Sequence, residues 1–248
     1  MEVDQIYNMD CMEGMKLIPS QSVDAIICDL PYGTTACKWD IIIPFEPLWE
    51  QYKRIIKDGG AIVLFSSQPF TSKLVSSNLK GYKYDWIWNK CSVSNPQLAK
   101  VQPLKNYEVI SIFGKNGEKV NYYPQGLKKI EIDKRRGSEV SRTETLGHIQ
   151  RRKDYKQEFT NYPQAIISFP CDSDRFHPTQ KPVNLIRYLI RTYTLRGGVI
   201  LDNCMGSGTT AIACIKEDRH YIGFELDKNY YEAAIKRIKI ETAQLSLF

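Results

Sequence analysis

Two apolar runs, each ending in an aspartate and a tight turn, constrain this chain more than any other feature. The first, Val23-Asp-Ala-Ile-Ile-Cys-Asp29, passes into Leu30-Pro-Tyr-Gly33. The second, Val199-Ile-Leu-Asp202, passes into Asn203-Cys-Met-Gly-Ser-Gly-Thr209 and then into a helical pattern reaching Lys216. Short branched runs bounded by turn residues read as buried strands. Similar segments occur at Gln5–Asn8, Ala61–Ser66, Tyr84–Asn89, Glu108–Phe113 and Tyr221–Glu225. Helical stretches lie between several of them, at Pro47–Lys57 before the stop Asp58-Gly-Gly60, at Pro182–Thr194 before Arg196-Gly-Gly198, and at Thr209–Glu217. Strands alternating with helices predict an α/β fold with a doubly wound, mostly parallel sheet.

The two strand ends differ in chemistry. Asp29, Pro31 and Tyr32 place a carboxylate, a rigid turn and an aromatic ring at one strand mouth, which suits the grip of a flat, amino-bearing ring. At the other, Gly206 and Gly208 let the backbone approach a ligand, and the helix start offers unpaired N–H groups. About twenty residues beyond Asp202, Glu225 ends the next strand, where an acid can accept hydrogen bonds from ribose hydroxyls. Spacing alone does not choose between a dinucleotide and another nucleoside cofactor.

Charge is uneven. The net charge is +6 over 248 residues, but Lys115 to Lys156 holds twelve Lys or Arg against six Asp or Glu. A local basic block points to a polyanionic partner. The tract is polar and breaks the strand–helix rhythm, so it reads as an irregular insertion at 115–162 between segments 1–114 and 163–248. Its phosphate-binding candidates are Lys128, Lys129, Lys134, Arg135, Arg136, Arg151 and Arg152; the bland reading is a solvated loop. Seven cysteines without closely spaced pairs give no zinc pattern and, with no secretion signal, read as reduced thiols. Cys28 and Cys214 read as small core residues. No apolar run approaches the roughly 20 residues that cross a bilayer, so a soluble, intracellular protein with no membrane partner is expected.

Together Asp29-Leu-Pro-Tyr32, the Asp202–Thr209 loop and His177-Pro-Thr-Gln-Lys-Pro182 resemble the amino-methyltransferases of DNA. The catalytic tetrapeptide precedes the cofactor loop, which looks like the permuted beta class. That resemblance implies a seven-stranded Rossmann-like sheet, S-adenosylmethionine as cofactor, DNA as partner, a target-recognition region within the insertion and no need for a metal. It spans Gln5 to about Arg237 apart from the insertion. The family's second tetrapeptide position is proline where this chain has Leu30, and its loop carries phenylalanine where this chain has Cys204, which removes an aromatic contact to the cofactor. The six positions from His177 to Pro182 match throughout.

Carried over by resemblance, Asp10, Cys11, Thr179, Lys181, Asp202, Asn203, Cys204, Gly206, Ser207, Gly208, Thr209 and Glu225 bind the cofactor, with Thr179 and Lys181 toward its methionine end. Asp10 also reads as a helix cap, and Pro182 as a helix start. Asp29 and a Leu30-Pro31 carbonyl would accept the N–H hydrogens of the target amine, while Tyr32 stacks on a base rotated out of the duplex. Trp39, Phe70, Trp88 and Lys90 are secondary candidates near that base. Aspartate at position 29 favours N6 of adenine. Cytosine-N4 transfer, chemistry on RNA or a protein amide, and an inactive DNA-binding relative are the alternatives. The resemblance leaves open a homodimer and a cognate restriction endonuclease, and it implies a prokaryotic cytoplasm, phage-encoded relatives included.

Overall fold

The computed structural model describes residues 1–34, 40–134, 155–172 and 180–245. They divide into two compact units, one of residues 1–123 with 165–248 and the other of residues 124–164.

The larger unit is built on one sheet. Its strands are β1 (Gln5–Asn8), β2 (Val23–Asp29), β3 (Ile56–Ser66), β4 (Tyr82–Ser94), β5 (Lys105–Gly114), β8 (Ile166–Ser168), β9 (Val199–Asp202) and β10 (His220–Glu225), in the order β1-β10-β9-β2-β3-β5-β4-β8. Seven were expected. The eighth, β8, is a three-residue edge strand beside β4, too short to leave a periodic signal. Pairing is parallel except where β5 runs antiparallel to both β3 and β4.

Among the described residues six helices cover the sheet: α1 (Cys11–Lys16), α2 (Phe45–Ile55), α3 (Phe70–Ser77), α4 (Val183–Tyr193), α5 (Thr209–Lys216) and α6 (Lys228–Leu245). Alternation along β2 and β3 sorts side chains between two cores. Ala25, Ile27, Ala61, Val63 and Phe65 face α4, α5 and α6, whereas Ile26, Cys28, Ile62 and Leu64 face α1, α2 and α3. Buried Leu185, Ile186, Leu189, Ile190 and Tyr193 form the helical stripe that docks α4.

Helix α2 stops at Ile55, two residues before the expected end, and Asp58-Gly-Gly60 is drawn into β3 rather than forming a free turn. The register shows why. Val23 pairs with Ile56 but Ala25 pairs with Ala61, so the extra residues of β3 bulge, with Gly59 at φ +75°.

The seam between β9 and β2 positions the site. Their contact is parallel, Ala25 opposite Ile200 and Ile26 opposite Leu201. From β2 the chain continues to β3 on one side, and from β9 it continues to β10 on the other. Connections that diverge from neighbouring strands leave a crevice at their carboxyl ends. At the opposite end of the seam Asp24 ties the strands, accepting from Val199 N at 2.8 Å and pairing with Lys57.

The smaller unit is not wholly irregular: β6 (Lys128–Lys134) and β7 (Tyr155–Thr160) form an antiparallel ribbon. It begins later than the expected insertion, because Asn121 N donates to Gly59 O and Tyr123 N to Thr192 O, holding residues 115–123 to the larger unit. No helix among the described residues is long and apolar enough to cross a membrane.

Candidate active site

A cavity of about 470 Å³ opens at the crevice, within the range of small-molecule sites. Asp29, Leu30, Pro31 and Tyr32 line it together with Asp202–Ser207, Thr209 and Glu225, although 169 residues lie between Tyr32 and Asp202. Asp10, Cys11 and Lys181 also line it.

At the β2 end, each oxygen of the Asp29 carboxylate accepts one hydrogen bond. Its Oδ1 accepts from the Tyr32 hydroxyl at 2.6 Å and its Oδ2 from the Lys181 ammonium. Lys181 also stands 3.3 Å from Glu108 Oε2, and Glu108 Oε1 accepts from Lys90 at 2.5 Å. Burial pushes the Asp29 carboxyl up from its ordinary range, against the pull of Lys181 and helped by Glu108. Burial would lift Glu108 too, but Lys181 and Lys90 outweigh it and its pKa falls. Lys181 is raised: burial works against its charge, and the two carboxylates overcome that. The cluster thus brings together two acidic side chains and two lysines.

The Tyr32 ring stacks on Phe70 with centroids 5.0 Å apart. Phe70 is a core residue at 1% exposure, so what it offers the site is support for Tyr32. The turn after Tyr32 is fixed by Asp40, whose oxygens accept from Gly33 N and Thr34 N, each at 2.8 Å. Trp88 is also buried, donating from Nε1 to Phe169 O at 2.8 Å, with Lys90 over its ring.

At the β9 end, Asp202 accepts from Cys204 N at 3.1 Å and from Thr210 Oγ1 at 2.6 Å. Burial nonetheless raises its pKa from 3.8 to about 6. Gly206 (φ +53°) and Gly208 (φ +77°) take the left-handed conformations that the turn into α5 requires. Glu225 receives Gly206 N at 2.8 Å and Asp227 N at 2.9 Å, and burial raises its carboxyl. Ser207 and Thr209 point away from solvent toward Arg237, which donates to Ser207 O and to Thr209 Oγ1. Asn203 accepts the buried Tyr52 hydroxyl at 2.5 Å and donates weakly to the sulfurs of Cys11 and Cys204.

Those thiols are unreactive. The hydrogen bond to Cys204 and burial drive Cys11 far above an ordinary thiol, and burial pushes Cys28 up to about 12. Asp10 is the N-cap of α1, accepting from Met12 N at 2.7 Å and Glu13 N at 3.3 Å while lining the cavity.

Trp39, Thr179, Arg135, Arg136, Arg151 and Arg152 lie outside the described residues, as does the side chain of Lys134; Lys128 and Lys129 open β6. No cluster of His, Cys, Asp or Glu suited to a metal ion occurs among the described residues. Sequence reading missed Glu108, Tyr52, Asp40 and Arg237. Only Glu108 leaves a signal, as a lone acid entering the apolar run Val109–Phe113.

A family model described as DNA methylase, covering N6 and N4 enzymes, matches residues 23–236. The type II methyltransferase M.HindIII of Haemophilus influenzae is 24% identical over 309 residues, covering 96% of each chain. The DNA adenine methyltransferase YhdJ of Escherichia coli is 29% identical, covering 96% of this chain and 84% of its own. Among solved structures, the M1.HpyAVI–SAM complex superposes with a TM-score of 0.64 at 24% identity, covering 94% of this chain and 98% of that one. The cytosine-N4-specific PvuII DNA methyltransferase gives 0.64 at 15% identity, covering 93% and 84%. These structures share the Rossmann-like fold, and the family model spans both the Asp29 turn and the Asp202 loop: the chain belongs to the N6/N4 DNA methylase family.

Proposed function

We propose that this protein is a site-specific DNA methyltransferase that moves a methyl group from S-adenosylmethionine to the N6 amino group of an adenine rotated out of the duplex. The observation carrying this reading is that Asp29 and Tyr32 share one cavity with the Asp202–Thr209 loop and Glu225. Adenine rather than cytosine is favoured by aspartate at position 29 and by the name of the Escherichia coli relative.

The residues present fit that cofactor. Glu225 ends β10 at the cavity, where its carboxylate suits ribose hydroxyls. Positive φ at Gly206 turns backbone along the cavity wall, whereas Gly208 lies against Ala234 of α6, and Asp10, Cys11, Asp202 and Asn203 border the same space. When bound, S-adenosylmethionine supplies an electrophilic methyl group whose departure leaves a neutral thioether.

The protein supplies alignment and electrostatics. Asp29 accepts one amine hydrogen and a Leu30-Pro31 carbonyl the other, which localises the nitrogen lone pair. Proline fixes that turn and removes a competing donor. Tyr32, backed by Phe70, offers a ring face to the base. Orientation of this kind supplies up to roughly 7–11 kcal/mol of a barrier. Asp29 then holds the proton released once the nitrogen is methylated. Rotating the base out costs a few kcal/mol, which is least for unpaired bases.

The 124–164 unit, with Lys128, Lys129 and the arginines of its sequence, supplies salt-sensitive phosphate contacts, and side chains there read base edges. A prokaryotic cytoplasm holds both substrates.

The test is tritium transfer from labelled S-adenosylmethionine to unmodified plasmid DNA, followed by nucleoside chromatography, with Asp29→Ala as control. Label is expected in N6-methyladenine and is lost in the variant. Label in N4-methylcytosine alone overturns the base assignment. Protein that binds cofactor yet labels no base overturns the activity.

A further inference from the structure

Lys181 is fixed beside the carboxylate that grips the target amine. Its ammonium donates to Asp29 Oδ2, stands 3.3 Å from Glu108 Oε2 and lies 5.2 Å from the centroid of the Phe65 ring. Glu108 is itself held, since its Oε1 accepts from Lys90 at 2.5 Å and its backbone pairs opposite Trp88. Three strands thus converge on one ammonium: β2 through Asp29, β3 through Phe65 and β5 through Glu108. Asp29, Phe65, Glu108 and Lys181 all border the cavity. An ammonium has three N–H donors and no acceptor. Asp29 and Glu108 engage at most two of them, so one is left for a ligand. Asp29 stays available as well, because each carboxylate oxygen can accept more than one hydrogen bond.

We propose that Lys181 reads the target base, donating to the ring nitrogen next to the amine that Asp29 binds, N1 of adenine. The inference rests on the proposed reaction and deepens it at the same site. Its basis is complementarity. Asp29 and Lys181 present an acceptor and a donor in direct contact. The Watson–Crick edge of adenine presents the reverse pair, the N6 amine as donor and N1 as acceptor on adjoining atoms, and enzymes that rotate a base out of the duplex read that edge. Neither side chain has to leave its partner. Guanine is refused, because the atom beside its amine is N1–H, a donor that would face a cation. Cytosine offers the same pair as adenine in its N4 amine and N3. Lys181 therefore selects an amine with an adjoining acceptor and leaves the choice between those two bases to the rest of the pocket.

The test uses duplex oligonucleotides bearing the site that plasmid labelling identifies, with adenine, 1-deazaadenine or 7-deazaadenine at the target position. 1-Deazaadenine keeps the amine and lacks N1. Its weaker pairing with thymine makes rotation out of the duplex cheaper, and its less electron-poor ring makes the amine a better nucleophile, so neither change can slow the reaction. For the wild type, kcat/KM is expected to fall about 10- to 100-fold on 1-deazaadenine, the scale of one charged hydrogen bond, and to stay within about threefold on 7-deazaadenine. In Lys181→Met the 1-deazaadenine penalty should shrink to within about twofold, with calorimetric S-adenosylmethionine binding within about threefold of the wild type. If that variant is too slow to assay, oligonucleotide affinity gives the same comparison: the wild type distinguishes adenine from 1-deazaadenine and the variant does not. A merely structural lysine would slow both substrates alike and leave the penalty unchanged. The assignment is overturned if the wild type methylates 1-deazaadenine as fast as adenine, if 7-deazaadenine carries the loss instead, if the penalty persists in Lys181→Met, or if that variant loses cofactor binding. A wild type that labels no adenine overturns the proposed reaction, and this assignment with it; the two failures are told apart by the plasmid measurement.

Discussion

Asp202 shows how one buried carboxylate turns position into pH dependence. Its pKa is raised from 3.8 to about 6 because burial outweighs the hydrogen bonds from Thr210 and Cys204. Between those values the folded protein keeps a proton that the unfolded chain has lost, so this residue's contribution to stability falls as pH rises, by up to roughly 3 kcal/mol once both states are ionised. The stability difference between the wild type and Asp202→Asn, from urea unfolding, should therefore shift against the wild type between pH 4 and pH 7. A difference that is flat over that interval would show that Asp202 titrates alike in both states. Residues such as Asp29, Asp202 and Glu225 were legible in the sequence because each ends an apolar strand. Glu108 was not, because its importance comes from Lys181 and Asp29, which reach it only through folding. Lys181 was legible as a site residue, yet its contact with Asp29 required the two halves of the sheet to meet.

The strands were the best-read elements. β1, β2 and β9 have the ends that branched residues and flanking turns predict, since a buried parallel strand is marked by both. β4 and β5 run longer than their apolar cores, because ladder hydrogen bonds continue into polar residues once pairing has begun. The bulge in β3 was hidden, as it depends on register with β2. The short helix α1 was expected only as the sequel to its cap, and its packing is tight. A Cβ on Gly14 would stand 2.2 Å from Phe224 Cε1, inside a ring that is fully buried. Alanine would normally favour a helix by roughly 1 kcal/mol over glycine. Overpacking should reverse the sign, so Gly14→Ala is expected to destabilise the fold by about 1–3 kcal/mol in urea titration. Phe224→Leu in the same chain should recover part of the loss. Gly14→Ala that proves more stable than wild type would mean that α1 shifts freely on the sheet.

At the scale of the whole molecule, composition announced a basic interruption but not its ribbon, because β6 and β7 carry charged and polar residues with little alternation to read. The larger unit is assembled from both sides of that interruption. Residues before it supply Asp29, Tyr32 and Glu108, residues after it supply Lys181, the glycine loop and Glu225, and the two portions are joined along β2–β9 and again where β1 pairs with β10. Neither portion owns a complete cavity. The enzyme is thus a natural candidate for fragment complementation: chains divided within residues 124–164 should be silent alone and regain methyl transfer on mixing, with a rate that rises with the product of the two concentrations until assembly saturates. Activity from either fragment by itself would show that one portion suffices. In a cell, the methyl mark would then record that two polypeptides had met, written into DNA and still readable after both had gone.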